Sequence, residues 1–376
     1  MKKIQMVDLR TQYDAIKQEV DSEMQEVLNT ATYVKGGKVK QFQEHLQEYL
    51  GVKHVIPVGN GTDALQIALM ALDLVPGDEV ITPTFTFAAT VEVVKLLGLT
   101  PVMVDVDYDT FTLSMESLRN AITPKTKVII PVHLYGQNAY MDGVMQIVQQ
   151  YGLYVVEDAC QSIGTNYYFA DGTIGRSGCM GHIGCTSFFP SKNLGCYGDG
   201  GALFTNDDML ADKITAIANH GMSVRYHHDL VGVNSRLDSL QAAVLDVKLK
   251  YLDSYLQARQ AAAAHYDVAL AGNPHIVLPA RTTYSDHTFH QYTLKLIGVE
   301  RNEVQHQLAE KNVPAMIYYP IPLHLQKAYQ SGRYQQGDFP VAESLAQCVL
   351  SLPMHTELDE EQLNYITACL LEVVNK

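Results

Sequence analysis

Short apolar runs alternate with helix-like patterns along the chain from about residue 50. The runs are typical of buried strands, and apolar residues that recur every three or four positions between them are typical of helices. The predicted strands are 55–58, 79–82, 101–106, 128–133 and 153–156, and the predicted helices are 63–72, 88–97, 115–122 and 141–151. Repeated strand–helix units of this length predict an α/β fold with a mostly parallel central sheet flanked by helices.

The last third of the chain follows a different order. A helical pattern rich in alanine and leucine spans 238–270, and it predicts a spine that joins two domains. The pattern beyond it predicts strand 291–296, helix 303–311, strand 315–319 and helix 359–374. Because a chain of 376 residues exceeds the usual size of a single hydrophobic core, we place a large domain at 1–250 and a smaller α+β domain at 251–376.

Composition disfavours several classes of partner. The formal net charge is -14, so polyanionic nucleic acids and membrane surfaces are poor partners, and an anionic substrate would need a local basic pocket. Residues 1–8 contain no apolar signal core, and no apolar run is long enough to span a bilayer. We therefore expect a cytoplasmic protein without a membrane segment.

The six cysteines are scattered, which indicates free thiols rather than disulfides. Cys179, His182 and Cys185 could be interpreted as metal ligands, but their spacing fits no standard zinc pattern and an obvious fourth ligand is missing. We predict no metal and an irregular glycine-containing loop here. For the pair His227 and His228 we expect an ordinary loop or pocket-edge role.

Ligands of parallel sheets bind at the carboxyl ends of strands, and three polar groups follow predicted strand ends. The first group precedes helix 63–72. Gly61 lets the backbone approach a ligand, Thr62 can cap the helix, and the helix start would favour a phosphate. The alternative is an ordinary helix cap without a ligand.

The second group is Glu157-Asp158, directly after strand 153–156. At that position Asp158 could keep the nitrogen of a pyridine ring protonated, so that the ring can accept electrons. The alternative is a solvent-facing acid in a turn.

The third group is Lys192, which follows a short predicted strand that ends at Pro190. A lysine beside apolar and aromatic chain can lose its charge by desolvation and become a nucleophile that forms a Schiff base. For this residue alone, a surface lysine is the alternative. The glycines between 195 and 201 fit neither a dinucleotide fingerprint nor a Walker loop.

In combination and in this order, the groups are the parts that a pyridoxal-phosphate site needs. The helix start supplies a phosphate cup, and the segment Phe85-Thr86-Phe87 supplies a ring to stack on the cofactor. Asp158 would be the partner of the ring nitrogen, and Lys192 would be the aldimine lysine.

The sequence resembles the DegT/DnrJ/EryC1/StrS family of nucleotide-sugar aminotransferases over nearly its whole length. The segments that carry the resemblance are 7–13, 60–65, 77–83, 131–136, 157–162, 187–192, 198–202, 232–238 and 319–324. The resemblance implies the PLP-dependent transferase fold of type I, pyridoxal 5'-phosphate as cofactor, and a homodimer with shared active sites.

The resemblance also implies roles for single residues. Lys192 and Asp158 would be catalytic, with Lys192 moving protons, and a lysine rather than a histidine at this position favours transamination over dehydration. Gln161 would lie against the ring hydroxyl and Phe87 would stack on the ring. The implied phosphate contacts are Gly61, Thr62 and Ser187, together with Asn234 from the partner subunit.

Segments 186–198 and 351–355 are similar to one subgroup, which aminates C3 of UDP-2-acetamido-2-deoxy-3-oxo-glucuronate with L-glutamate as donor. In this interpretation Arg236 from the partner chain pairs with the sugar carboxylate, and Tyr319 touches the sugar. A salt bridge at the dimer interface is the alternative for Arg236. Tyr318 departs from the histidine that many relatives carry there, and the segment 166–184 is longer than in close relatives, which predicts a surface loop.

The product would serve cell-surface polysaccharide or lipopolysaccharide synthesis. The alternatives are amination at C3 or C4 of a dTDP- or GDP-linked keto-deoxysugar, a dehydratase, and a non-catalytic, ligand-sensing homologue of the same fold.

Overall fold

The computed structural model describes residues 2–376, and its centre is a seven-stranded sheet. The strands along the chain are β1 (His54–Val58), β2 (Glu79–Pro83), β3 (Thr100–Val104), β4 (Thr126–Ile129), β5 (Tyr154–Asp158), β6 (Asn166–Tyr168), β7 (Ile174–Arg176), β8 (Ile183–Ser187), β9 (Gly201–Thr205), β10 (Met222–Val224), β11 (His227–His228), β12 (Ile276–Val277), β13 (Tyr292–Leu296) and β14 (Val349–Leu352). The central sheet has the order β1-β9-β8-β5-β4-β2-β3. Strand β9 runs antiparallel to both of its neighbours, and the other adjacent pairs are parallel.

Helices cover the sheet and build the rest of the molecule. They are α1 (Leu9–Thr30), α2 (Gly37–Leu50), α3 (Gly61–Met70), α4 (Ala89–Leu96), α5 (Met115–Ala121), α6 (Met141–Tyr151), α7 (Asp208–Ala218), α8 (Ser239–Leu249), α9 (Leu252–Leu270), α10 (Arg301–Glu310), α11 (Pro340–Cys348) and α12 (Glu360–Val374). No helix within residues 2–376 combines the length and the apolar character that crossing a bilayer requires.

The strand–helix alternation predicted from residue 55 to residue 156 is confirmed, with bounds that differ by a few residues. The largest difference is in the strand predicted at 128–133, because β4 ends at Ile129 and beyond it only Val132 makes an isolated bridge, with Asp158. Pro131 has no N–H to offer a neighbouring strand, so regular pairing stops there.

Both faces of the sheet are buried, which explains the continuous apolar runs. Val128 and Val156 point into a core with helices α3, α4 and α7. Ile129 and Val155 alternate with them and point into a second core with α5 and α6. Side chains of successive strand residues face opposite sides, so a strand between two helical layers has no polar face.

The single helix predicted at 238–270 is wrong, because the structure breaks it into α8 and α9 at Lys250 and Tyr251. The amides of Lys250 and Tyr251 bond to carbonyls three residues back, which tightens the last turn of α8. Helix α8 and the first turns of α9, with Leu252 and Leu256, pack in the core under the large sheet, whereas the rest of α9 packs on the C-terminal strands. The apolar pattern continues through the break and therefore does not reveal it.

The C-terminal region contains an antiparallel sheet in the order β12-β13-β14, packed against α9, α10 and α12. The smaller α+β part of the predicted fold is thus present, and the domain boundary at residue 250 stays a prediction. Chain 323–349 does not join this core but packs beside Phe85 and Leu134, which follow strands β2 and β4 of the large sheet.

Two local predictions are wrong. No strand forms at 315–319: Met316 makes an isolated bridge with Ser351, and the chain then turns away through Pro320. The segment predicted as a surface loop, 166–184, contains the hairpin of β6 and β7 and the start of β8. Tyr167 of this hairpin is fully buried in a core, which gives the segment a packing role.

Candidate active site

The three groups predicted at strand ends meet at one edge of the central sheet. Asp158 is the last residue of β5 and pairs in register with Cys185 of β8. Ser187 is the last residue of β8, and helix α3 begins at Gly61 beside it. Parallel strands end at the same edge of a sheet, so residues far apart in sequence become neighbours here.

Asp158 is buried, with 6% of its surface exposed, and its carboxylate is held by two donors. The Thr90 hydroxyl donates to Oδ2 over 2.8 Å, and the Cys160 amide donates to Oδ1 over 3.3 Å. The alternative of a solvent-facing acid is therefore wrong. The Thr86 hydroxyl, just before α4, lies 3.3 Å from the Thr90 hydroxyl, so the group that orients the acid has a hydroxyl neighbour of its own.

Lys192 lies in a tight turn between β8 and β9. The strand ends at Ser187, and not at Pro190 as the sequence predicted. The turn is closed by the Cys196 amide, which donates to the Phe188 carbonyl over 2.8 Å, and by the Lys192 amide, which donates to Phe189 over 2.8 Å.

Burial lowers the pKa of the Lys192 amine below its ordinary value. The Cys160 thiol and the Asp158 carboxylate lie close enough to oppose that shift. A lysine with a lowered pKa holds more neutral amine near pH 7, which is the form that attacks a carbonyl carbon. The alternative of an ordinary surface lysine is inconsistent with this environment.

Helix α3 begins at Gly61 against Ser187. The side chain of Asn60, and not that of Thr62, caps the helix by accepting from the Asp63 amide over 2.8 Å, so the predicted cap at Thr62 is wrong. A Cβ at Gly61 would lie 2.8 Å from the Ser187 Cβ and 3.0 Å from the Cys160 sulfur. The small residue thus lets the helix start approach the end of β8, where its free N–H groups can receive an anion.

Gln161 links the sheet edge to the C-terminal region. Its Oε1 accepts from the Tyr135 amide over 2.8 Å, and its Nε2 donates to the Tyr319 hydroxyl over 3.1 Å. Burial raises the pKa of the Tyr319 phenol, so that hydroxyl stays protonated at neutral pH. Gln161 and Tyr319, for which the sequence suggested separate roles, are therefore brought together from positions 158 residues apart.

Phe85 and Phe87 have different environments although only Thr86 separates them. Phe85 is buried, whereas 57% of Phe87 is exposed. Both rings lie near Tyr319, with centroid distances of 6.1 Å for Phe85 and 6.4 Å for Phe87. A largely exposed aromatic ring beside the site is available to stack on a planar ligand.

Asn234 and Arg236 are not part of the group around Lys192. Asn234 is exposed and makes an isolated bridge with Asn219. The Arg236 side chain lies in a cleft with Lys35, and it has no ion pair or hydrogen bond within residues 2–376. Ser235 between them accepts from the Gly59 amide and donates to Asp63, so both residues are anchored near the start of α3.

Glu157 has a structural role on the opposite face of β5. Its fully buried carboxylate accepts from the amides of Gly178, Met180 and Gly181, and from the Nε2 of His133 over 2.8 Å. The loop over 178–181 thus wraps a carboxylate with its backbone.

The side chains of the suggested metal ligands point apart. His182 accepts the Val155 amide with Nδ1 over 3.0 Å, Cys185 lies in the core under α3, and Cys179 packs against a different core. All six cysteines are free thiols, as predicted. His227 and His228 form the exposed strand β11 and not a loop.

Sequence patterns missed several residues of the site. Thr90 and Cys160 contact Asp158, and His290 lies buried near Lys192. Burial lowers the pKa of this imidazole, and the nearby Lys192 charge lowers it further. The His290 Nδ1 has no hydrogen-bond partner within residues 2–376. Thr90 lies in the first turn of α4 and Thr86 lies in the bend before it, so helical periodicity does not connect the two hydroxyls.

Comparison with known proteins identifies the family. A model of the DegT/DnrJ/EryC1/StrS aminotransferase family matches residues 14–371. A UDP-2-acetamido-2-deoxy-3-oxo-D-glucuronate aminotransferase from Pseudomonas aeruginosa is 46% identical over 98% of this chain and 99% of its own. A pleiotropic regulatory protein from Geobacillus stearothermophilus is 43% identical over 98% of each chain.

A solved structure extends the similarity to three dimensions. The crystal structure of S. venezuelae DesV in complex with a ketimine intermediate superposes with a TM-score of 0.95 at 37% sequence identity, and the match covers 100% of both chains. The predicted type I transferase fold is thereby confirmed. From the match over residues 14–371 and the identities above 40%, this chain is a member of the DegT/DnrJ/EryC1/StrS aminotransferase family.

Proposed function

We propose that the protein binds pyridoxal 5'-phosphate at Lys192 and transfers the amino group of L-glutamate to a nucleotide-linked keto-sugar. The observation that carries this proposal is the meeting of a buried, hydroxyl-bonded Asp158 and a half-buried Lys192, whose amine has a lowered pKa, at one sheet edge. One acid and one amine in a shared pocket are what a pyridine aldehyde requires.

The residues present fit the cofactor. The start of α3, with Gly61 and Thr62, and the hydroxyl of Ser187 provide N–H and O–H donors suited to a phosphate dianion. The exposed ring of Phe87 offers a stacking face, and the Gln161 amide is held at a fixed angle by Tyr135 and Tyr319. The Asp158 carboxylate is oriented by Thr90 and has acceptor capacity left for a ring N–H.

Pyridoxal phosphate, when bound, supplies a protonated pyridine ring that withdraws electrons from the carbon that loses or gains a proton. Asp158 keeps the ring nitrogen protonated because a buried carboxylate favours an adjacent positive charge. The Lys192 amine, when it is not attached to the cofactor, would move a proton between Cα of the substrate and C4′ of the cofactor. Its lowered pKa keeps it able to accept a proton near neutral pH.

For the sugar we propose UDP-2-acetamido-2-deoxy-3-oxo-glucuronate, aminated at C3. Support comes from the Pseudomonas aeruginosa relative, which is named for this substrate and is 46% identical over nearly the full length of both chains. Tyr319 lies beside Phe87 and Gln161, which supports the proposal that it would contact the sugar ring.

We further propose a homodimer whose active sites are shared between subunits. Arg236 is unpaired within residues 2–376, and Asn234 is exposed, so both are free to contact a second copy. In the dimer Asn234 would reach the cofactor phosphate of the partner, and Arg236 would form a two-point ion pair with the sugar carboxylate.

The similarity to a pleiotropic regulatory protein keeps a ligand-sensing function as the rival proposal. The two functions differ in catalysis. A sensor would bind the cofactor or sugar without turnover, whereas an aminotransferase releases 2-oxoglutarate from glutamate.

The test compares wild type with Lys192→Ala and with Lys250→Ala, an exposed lysine as control. Wild type and the control should be yellow with the cofactor, lose that colour with glutamate, and carry cofactor mass on the Lys192 peptide after borohydride reduction. Lys192→Ala should lose all three properties. Turnover that survives in Lys192→Ala, or trapping at another lysine, would overturn the site assignment.

The substrate is tested by mass spectrometry of products from 3-keto and 4-keto nucleotide sugars. The expected result is amination of the UDP-linked 3-keto-glucuronate. Amination of a 4-keto sugar alone would contradict the substrate proposal, and binding without amination of any sugar would favour a sensor.

A further inference from the structure

Lys248 is a buried lysine that the site described so far does not use. It lies near the end of α8 with 1% of its surface exposed. Its Nζ donates to the Gly195 carbonyl over 2.7 Å and lies 5.2 Å from the ring centroid of Tyr197. No carboxylate pairs with it within residues 2–376.

A buried ammonium group without a counter-ion is costly, so the contacts that hold it identify its role. Burial lowers the pKa of Lys248 to about 8, so the group is still mainly charged at neutral pH. The charge is stabilised by a carbonyl oxygen and an aromatic face, both of which belong to the segment that follows Lys192.

The carbonyl of Gly195 lies at the closing point of the turn that carries Lys192. A Cβ on Gly195 would lie 2.3 Å from the Pro190 carbonyl oxygen, so the two ends of the turn are in backbone contact. The amide of Cys196 closes the same turn on the Phe188 carbonyl. A shift of the Gly195 carbonyl would therefore move the backbone on both sides of Lys192.

Helix α8 holds this segment at a second point. Gln241 lies seven residues before Lys248, two helical turns away on the same face, and its Oε1 accepts from the Tyr197 amide over 2.8 Å. The side chains of Leu194 and Cys196 pack into the core against Leu245 of the same helix. The turn is thus attached to α8 by a charged hydrogen bond, a neutral hydrogen bond and apolar contacts.

We infer that Lys248 is a positioning residue for Lys192: its ammonium group fixes the Gly195 carbonyl and thereby keeps the Lys192 side chain in its desolvated position beside Asp158. This inference rests on the proposed role of Lys192. Without Lys248 the Gly195 carbonyl would be buried without a donor, and the turn would have to move to regain one.

The experiment uses full-length protein and compares Lys248→Met, which has a similar length but no donor, with Lys250→Met. Lys250 is exposed and lies two residues further along, so its variant controls for loss of a lysine in this region. The pH midpoint of Lys192 acetylation by acetic anhydride is measured by peptide mass spectrometry after removal of cofactor. Kinetic constants are measured on the cofactor-loaded enzymes.

In Lys248→Met the Lys192 midpoint should rise toward that of an ordinary lysine, because a displaced turn lets water reach the amine. We expect kcat to fall about tenfold to a hundredfold with little change in KM, since misplacement of a reacting group acts on the chemical step. Lys250→Met should leave both quantities as in wild type. A folded Lys248→Met variant with an unchanged Lys192 midpoint and unchanged kcat would overturn the inference.

If Lys248→Met does not fold, Lys248→Gln takes its place. Its amide is one bond shorter and cannot reach the Gly195 oxygen from the same backbone, so the same rise in midpoint is expected and an unchanged midpoint and kcat would overturn the inference. Borohydride trapping on wild type distinguishes a failure of the proposed function from a failure of the proposed role of Lys248. Trapping at another lysine defeats the proposed function, whereas trapping at Lys192 with no effect of residue 248 defeats only the role of Lys248.

Discussion

At the scale of single residues, the properties that matter come from neighbours distant in sequence. Burial lowers the pKa of Lys192, and the groups that oppose the shift, Cys160 and Asp158, lie more than thirty positions earlier in the chain. Gly61 is important because Ser187 and Cys160 occupy the space around it. The sequence shows that residue 61 is a glycine, but only the structure shows which neighbours exclude a larger side chain there.

Replacing Gly61 by alanine tests this constraint. The added Cβ would meet Ser187 at 2.8 Å, so the start of α3 must move away from the end of β8. We expect the dissociation constant for pyridoxal phosphate to rise about tenfold, or ~1.4 kcal/mol, because N–H donors move from the phosphate. Fluorescence titration with the cofactor measures it.

Gly37→Ala is the matched control, since Gly37 also begins a helix but a Cβ there meets no atom within 4 Å. Its cofactor affinity should equal that of wild type. Equal affinities of Gly61→Ala and Gly37→Ala would show that the helix start does not hold the phosphate.

At the scale of elements, strand β5 ends in two carboxylates with opposite tasks. Alternation along a strand points Glu157 and Asp158 to different faces of the sheet. Glu157 binds the backbone of 178–181 and His133, whereas Asp158 faces the site and is held by Thr90. Sequence alone assigned a role to Asp158 and none to its neighbour.

The variants Asp158→Asn and Glu157→Gln should separate the two tasks. The amide in Asp158→Asn keeps an acceptor oxygen for Thr90 but cannot hold a proton on the ring nitrogen, so kcat/KM should fall by about a hundredfold or more while stability is retained. The amide in Glu157→Gln presents an NH2 group to backbone N–H donors that need acceptors, so the free energy of unfolding should fall by about 2 kcal/mol.

Urea unfolding and steady-state assays on both variants measure these quantities. The division of labour would be wrong if Asp158→Asn lost stability without losing activity, or if Glu157→Gln unfolded at the same urea concentration as wild type.

At the scale of the whole molecule, buried histidines make stability depend on pH. Burial lowers the pKa of His287 to about 3 and that of His355 to about 4, both from an ordinary value of 6.5. His287 stacks on Phe289 at 3.8 Å and accepts the Phe289 amide with Nδ1, an arrangement that requires the neutral ring.

The unfolded chain therefore takes up protons first as the pH falls. The stability contributed by neutral His355 and His287 is present above pH 6.5 and is lost between pH 6.5 and about 4 or 3, respectively. Each ring should add a slope of about 1.4 kcal/mol per pH unit to the free energy of unfolding in that window. Urea titrations of cofactor-free protein at several pH values measure the slope.

His287→Asn keeps an acceptor for the Phe289 amide and cannot take up the proton. Between pH 6.5 and 4, the slope of the unfolding free energy against pH should be smaller in this variant by the contribution of one ring, about 1.4 kcal/mol per pH unit. A slope equal to that of wild type would mean that His287 titrates alike in the folded and unfolded chain.

The fold class and the identity of the chemical groups were predictable from the sequence, because both rest on local patterns. Alternating apolar runs and helix periods specified β1 to β5 and α3 to α6 within a few residues. A lysine, an aspartate and a glycine-containing helix start, each after a strand end, indicated the cofactor type. These signals are carried by residues close together in sequence, so no folding was needed to recognise them.

Tertiary structure alone decided the rest, because it depends on which distant segments touch. The helical pattern of 238–270 is divided into α8 and α9, and only the later part of α9 reaches the core of the C-terminal strands. Segment 315–319 makes one bridge, at Met316, and its Tyr319 lies beside Gln161. Thr90 orients Asp158, and Lys248 binds the turn that carries Lys192. These residues come from elements that no sequence periodicity connects to the site. Sequence determined which chemical groups are available, and packing decided how each is oriented, how far it is desolvated and what it contacts.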